Sequence, residues 1–303
     1  MYERRRSNAP AQYPRLEPIM TNQKAIQNVL VIAASGRTGR RVVPLLEEQG
    51  VTVRRGSRSG SPSFDWDDRE TWAGALRGMD AAYVVYQPDL AMPSAADDIR
   101  AFTQIAREQG VRKLVLLSGR GVKEAEAAEQ IVADSGLDWT FVRAAWFNQN
   151  FSEGDFAFMM QDGMIALPMG DAVEPIIDGD DIAEVVAVAL TDPDLNGEAL
   201  NVSGPEALTH GQIAAELSKA AGREIRYEPI SMDQFRAAMT EIDVPTEYTD
   251  LLAYLFEITV SGANAEPTGD VERVLGRAPR EFSAFAERAA AAGTLGLKGV
   301  SRG

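Results

Sequence analysis

The sequence predicts an α/β chain built on a doubly wound parallel sheet, with a smaller, mainly helical C-terminal part. Three observations predict it. Short apolar runs alternate with helical patterns through residues 28–145. Glycines stand just past the helical patterns, at Gly50, Gly78 and Gly110, as C′ residues do. After Arg143 the rhythm changes to an aromatic- and amide-rich stretch over 146–158, and the pattern from 233 to about 295 is mostly helical.

The elements follow in order. Val29-Leu30-Val31-Ile32 and Ala33 form the first strand, and a helix spans 40–49. The second strand covers 51–54, and a short third strand closes over Phe64-Asp65-Trp66-Asp67. A helix over 69–77 leads to the fourth strand at 82–86. Asp97 and Asp98 open the next helix, whose apolar residues Ile99, Phe102, Ile105 and Ala106 share one face. A strand at 113–117, a helix at 123–134 and a strand at 139–142 complete the alternation. Further strands are expected at 173–177 and 199–202, with a helix at 181–190 capped by Asp180 and Asp181. Thr209 suits the N-cap of a helix within 208–221, and Pro229 confines the end of a strand at 224–230 to a sheet edge.

Composition narrows the chemistry. The chain has 303 residues, 30 basic against 45 acidic, and a net charge of −15. That balance argues against a nucleic-acid partner and suits a soluble cytoplasmic protein. Cysteine is absent, which excludes disulfides, thiolate nucleophiles and cysteine-ligated metals. His210 is the only histidine, so no His-rich metal site is expected; its place at a helix start reads as near-surface. No apolar run approaches the ~20 residues of a membrane span. The first twenty residues carry Arg4, Arg5, Arg6, Arg15 and three prolines without a signal-type apolar block, and read as a tail with Met20 as an alternative start.

The informative motif joins the first strand to its helix: Ala33-Ala34-Ser35-Gly36-Arg37-Thr38-Gly39. A strand, a tight small-residue turn and a helix N-terminus make a site for a dinucleotide pyrophosphate, with backbone N–H groups and the helix dipole facing the phosphates. Ala33 stands where that fingerprint has its first glycine, and its Cβ restricts the turn without forbidding it. The second strand ends in Arg54-Arg55-Gly56-Ser57-Arg58-Ser59, with no acidic residue for a ribose 2′-hydroxyl. Ser57, Arg58 and Ser59, with Arg37 in reach, suit a 2′-phosphate, so the cofactor is expected to be NADP(H).

These segments, together with FDWDD, GVRKLVLLSGRG, SGLDWTFVRAAWFNQNF, DDIAEV and NVSGPEALT, resemble the NmrA-like branch of the atypical short-chain dehydrogenases/reductases. The resemblance covers roughly residues 28–293. It implies a Rossmann-type NADP-binding domain over 28–145 and a substrate subdomain over 146–296 with some strands returning to the sheet, flanked by tails at 1–27 and 297–303. It implies cofactor contacts at Ala34, Ser35, Gly36, Arg37, Thr38 and Gly39, at Arg58, and at Asp65 and Trp66 beside the adenine. It adds Tyr86, Gln87 and Ser118 along the nicotinamide ribose, and Trp146, Phe147, Asn148 and Phe151 against substrate.

The chain departs from the wider superfamily in one place. The helix after the fifth strand normally carries Tyr-x-x-x-Lys, whose tyrosine protonates a carbonyl oxygen. Here it reads Gly121-Val122-Lys123-Glu124-Ala125-Glu126-Ala127-Ala128-Glu129-Gln130, without tyrosine. Ser118, Tyr86 and Lys123 are the alternative catalytic candidates, with Arg120 as a second cation able to stabilise an oxyanion. The expected function is an NADPH-dependent oxidoreductase acting on a quinone or planar aromatic ketone, in the manner of aromatic natural-product tailoring. Quinone reduction asks least of a protein acid, because its product is aromatic. The alternative is a non-catalytic NADP-binding redox sensor. A small aromatic substrate and a homodimer are the expected partners.

Overall fold

The computed structural model describes residues 25–154 and 156–295, so the tails lie largely outside the described residues. Strands β1 (Asn28–Ile32), β2 (Thr52–Gly56), β3 (Ala81–Val84), β4 (Lys113–Gly119) and β5 (Asp138–Ala144) alternate with helices α1 (Gly39–Glu48), α2 (Glu70–Leu76), α3 (Ala95–Glu108) and α4 (Lys123–Ala133). The second half holds β6 (Met164–Leu167), β7 (Val173–Glu174), α5 (Gly179–Thr191), β8 (Glu198–Val202) and β9 (Leu208–Thr209). It ends with α6 (His210–Ala221), β10 (Arg226–Pro229), α7 (Met232–Glu241), α8 (Thr246–Val260), α9 (Asp270–Leu275) and α10 (Phe282–Ala291).

Six parallel strands form one sheet in the order β2-β1-β3-β4-β5-β8. Side chains of successive strand residues leave opposite faces, so each central strand feeds two cores. Val29 and Val31 pack with Val42, Val43 and Leu46 of α1 and with Ile182, Val185 and Val186 of α5. Leu30 and Ile32 pack with Trp72 of α2, Ile99 and Phe102 of α3 and Ala128 of α4. Both faces are buried, so a one-residue slip of β1 would move every one of these side chains into the wrong core. A third core, around Phe151, Phe156, Phe235, Phe256 and Phe282, belongs to the C-terminal part.

Several expected elements differ. Phe64-Asp65-Trp66-Asp67 is a turn closed by an isolated bridge between Asp65 and Asp68. Its apolar alternation serves packing: Phe64 and Trp66 sink into the core under α2 and α3, and β2 remains the sheet edge. The expected strand at 173–177 shortens to β7, paired antiparallel with β9. β10 pairs parallel with β6, an element the sequence pattern hid, and Pro229 closes that ladder. Asp178, rather than Asp180 or Asp181, caps α5 through Asp180 N–H, and Asp181 is fully buried against Arg277 and Arg280. Thr209 is the N-cap of α6 in a complete capping box with Gln212. His210 follows it, and is buried rather than near the surface.

Candidate active site

The glycine turn leaves β1 through Ala33, whose φ is +52°. That conformation costs a residue with a Cβ roughly 1–2 kcal/mol, and the turn holds it. The Gly36 N–H donates to the Ala33 carbonyl at 2.8 Å. Gly39 is where the turn meets the helix: a Cβ there would lie 2.2 Å from the Ala33 oxygen and 2.9 Å from Ala34 Cα, so only glycine fits. From behind, the Tyr83 hydroxyl donates to Thr38 Oγ1 at 3.0 Å.

In front of this turn lies a cavity of about 270 Å³ at the carboxyl ends of β1, β3, β4 and β5, where open α/β sheets bind ligands. Gly36, Arg37 and Thr38 form one end. Tyr86, Gln87, Leu117, Ser118 and Arg120 form the sheet side. Trp146, Phe147 and Asn150 follow from β5, and Tyr248, Leu251, Leu255, Ile258 and Thr259 of α8 close the far wall. The Trp146 indole stacks on Phe256 at 5.5 Å and donates to Thr259 Oγ1 at 2.9 Å, which fixes its plane.

Two charged groups face this otherwise apolar far end. Glu174 is 2% exposed, and its Oε2 has no hydrogen-bond partner. Burial pushes its carboxyl up to about 7, against the lowering effect of Arg120 and the Trp146 backbone. Arg120 has its own buried, unpartnered Nη1, and burial holds its guanidinium below the usual value although Glu174 favours the charge. Arg120 Nη2 donates to the Glu266 carbonyl at 3.2 Å, and Asn264 Nδ2 donates to the Arg120 carbonyl at 2.8 Å. On the β3 side, Asp89 is also raised by burial.

The expected site residues distribute unevenly around this cavity. Gly36, Arg37, Thr38, Tyr86, Gln87, Ser118, Trp146 and Phe147 line it. Arg37 turns toward the β5 loop: its guanidinium donates to Asn150 Oδ1 and lies 5.8 Å from the Phe147 ring centroid. Arg58 is exposed at the end of β2 and makes no hydrogen bond or ion pair among the described residues. Arg54 and Arg55 are committed elsewhere, to the carbonyl end of α2 and to Glu47. Trp66 is buried, its Nε1 donating to the Val85 carbonyl at 2.9 Å, so it supports the cavity wall through Tyr86 from behind.

The three catalytic candidates do not present free acids to the cavity. The Ser118 hydroxyl donates to buried Glu129 at 2.6 Å. The Tyr86 hydroxyl donates to Asp98 at 2.7 Å and contacts Ser94, and burial with the Asp98 charge raises it to about 12. Lys123 is exposed on the first turn of α4, outside the cavity wall. Asn148 and Phe151 also lie outside it: Asn148 is fully buried, and Phe151 packs with Phe156 and Phe282 in the third core. The residues that sequence reasoning missed are Glu174 and the α8 wall. Tyr248, Leu251, Leu255 and Ile258 recur at helical spacing, so their shared face was readable, but nothing local says what it covers.

The residues present fit a dinucleotide. The turn is packed so closely that Gly39 admits no side chain, the helix N-terminus opens on the cavity, and an uncommitted arginine stands at the end of β2. Residues 33–193 match the NAD(P)H-binding family. An NAD(P)H azoreductase of Xenophilus azovorans is 31% identical over 288 residues, covering 87% of this chain and 98% of its own. A (4-alkanoyl-5-oxo-2,5-dihydrofuran-3-yl)methyl phosphate reductase of Streptomyces griseus is 33% identical over 277 residues, covering 84% and 95%. An NADPH-dependent quinone oxidoreductase of Escherichia coli, solved with NADPH, shares the fold at a TM-score of 0.71, with 21% identity over 86% of this chain and 99% of that one. On these matches the chain belongs to the NAD(P)H-binding family, on the NmrA-like branch of the atypical short-chain dehydrogenases/reductases.

Proposed function

We propose that this NAD(P)H-dependent oxidoreductase takes NADPH and reduces a planar aromatic acceptor, a quinone or an aromatic ketone. The observation that carries the reading is the continuity of the cavity from the glycine turn to an aromatic and aliphatic wall. A cofactor cradled by Gly36, Arg37 and Thr38 would run past Tyr86, Gln87 and Ser118 toward that wall. When bound, it supplies a hydride. Trp146 and Phe147 offer flat faces, and Leu251, Leu255 and Ile258 exclude water on the other side. The azoreductase and the Streptomyces griseus reductase, similar over nearly their whole lengths, support a reductase.

NADPH in place of NADH rests on Arg58, Ser57 and Ser59 at the end of β2. Ser57 also holds the local turn, its carbonyl accepting from Gly60 and Phe64 N–H groups. Arg58 is the unengaged cation there, so Arg58→Ala should weaken NADPH about 10- to 100-fold and leave NADH unchanged, the scale of one or two charge-assisted hydrogen bonds. Titration of each nucleotide by fluorescence reads this directly. Equal loss for both nucleotides would remove the 2′-phosphate assignment. Oxidation of NADPH, followed by absorbance with a panel of quinones and aromatic ketones, tests the acceptor class. Tight binding with no turnover across the panel would favour a redox sensor.

A further inference from the structure

We propose that Glu174, which lines the same cavity as Arg120, donates the proton that completes reduction of the bound acceptor. The proposal rests on the reading above, that the cavity holds a reducible carbonyl compound beside the cofactor. It starts from two orphaned polar atoms on residues of one cavity. Glu174 Oε2 and Arg120 Nη1 are buried, without hydrogen-bond partners, and both residues line the same cavity. Buried polar atoms are paired in the great majority of cases, and an unpartnered one in a cleft calls for a ligand. A carbonyl acceptor satisfies both: Arg120 can donate to its oxygen, and a protonated Glu174 can do the same.

The donors expected from the sequence are committed elsewhere. Helix α4 carries no tyrosine. The Tyr86 hydroxyl donates its hydrogen bond to Asp98, and the Ser118 hydroxyl donates its own to Glu129. Arg37 is held on Asn150, and Asp89 lies on the β3 side, where its Oδ1 accepts from Ala91 N–H. From α8, packed against β7, Tyr248 also lines the cavity. β9, the partner strand of β7, contributes Leu208 and Thr209, neither of them ionisable, and His210 beyond them packs against Phe151 and Tyr227.

The step balances on named atoms. Bound NADPH would supply the hydride to the electrophilic carbon, leaving as NADP+. As the carbonyl π pair moves onto oxygen, Glu174 breaks its own O–H bond and forms the new O–H bond of the reduced product. The carboxylate left behind faces the Arg120 charge, and solvent returns the proton before the next turnover. Burial keeps Glu174 protonated up to about pH 7, which suits an acid working near neutrality.

The decisive comparison is wild type with Glu174→Gln, which keeps the shape and charge of the protonated residue but cannot release a proton. Reduction of an aromatic ketone should fall about 100-fold, the lower end of what a positioned acid contributes. The wild-type rate should fall as pH rises through about 7, and that inflection should vanish in the variant. Glu174→Asp should restore part of the rate and the inflection. A readout independent of turnover is difference infrared spectroscopy: a protonated-carboxyl band lost with a midpoint near 7 in wild type and absent in Glu174→Gln. Arg120→Met should move that midpoint upward by about one pH unit, because the cation no longer supports the carboxylate. NADPH affinity, read by fluorescence, should be the same in wild type and Glu174→Gln.

An unchanged rate and pH profile in Glu174→Gln, with normal NADPH binding, would overturn the proton-donor assignment and leave the reductase reading standing. A wild-type protein that binds NADPH but reduces no carbonyl acceptor would overturn both.

Discussion

His210 shows how one residue can be set against its own chemistry. It begins α6, yet it is 4% exposed, packed against Phe151 and Tyr227, with Nδ1 unpartnered. Burial alone pulls its pKa down to about 4. The unfolded chain takes up a proton as pH drops below about 6.5, while the folded one stays neutral until about 4. The unfolded state therefore binds more protons in that window, and stability falls as the pH falls through it. The loss should reach roughly 3 kcal/mol, and His210→Phe should flatten it. Urea midpoints at about pH 7 and about pH 4.5 measure both limbs; equal acid sensitivity in the variant would place the loss elsewhere. Only burial, not the helix-start position, makes this residue sensitive, and burial is a tertiary fact.

At the scale of elements, β4, α4 and β5 are joined by a charged group beneath the cavity floor. Glu129 is fully buried in α4, Arg143 is nearly so in β5, and their guanidinium–carboxylate contact is multidentate. Ser118 at the end of β4 donates to the same carboxylate. Such a pair is costly to break from one side, because the remaining charge stays desolvated. Glu129→Ala should destabilise by about 3–5 kcal/mol, whereas replacing both partners with methionine should cost much less. Chemical denaturation of Glu129→Met, Arg143→Met and the double variant provides the cycle. The strand and helix that carry these residues were legible from periodicity, but the pairing was not: Glu129 reads locally as one more polar helix residue. Phe64 and Trp66 teach the converse. Their alternation is real, but it answers to α2 and α3 packing above the sheet rather than to a strand partner.

Across the whole molecule, the cofactor half is legible because its signals are local: a turn that needs glycine, a helix that starts beside it, strands of apolar residues. The acceptor half is not, because its wall is assembled from distant segments. Arg41 bridges Glu153 at 2.8 Å and Asp180 at 2.7 Å, tying α1 to the loop after β5 and to the start of α5. Gln149 Nε2 donates to the buried Asp178 carboxylate at 2.8 Å, which Arg288 of α10 also meets. Asp181 holds Arg277 and Arg280 in the same way. These ties set the loop after β5, which brings Trp146, Phe147 and Asn150 to the cavity, against the glycine turn before any ligand arrives, which lowers the cost of ordering on binding.

The place of β8 bears on the boundary expected from the sequence near residue 145. The chain leaves the sheet after β5, contributes Trp146, Phe147, Asn150 and Glu174 to the cavity, and comes back to pair residues 198–202 with 140–144. A fragment ending at 145 would keep the glycine turn and five of the six strands, but would turn an interior strand into a bare edge. Thr140, Phe141 and Val142, all fully buried in the intact chain, would lie beside unpaired backbone groups, a ready template for intermolecular strand pairing. Such a fragment should precipitate or self-associate, as light scattering would show. The excursion between β5 and β8 is thus free to diverge for new acceptors only while its return strand survives: the protein can be re-tooled by insertion, but not by amputation.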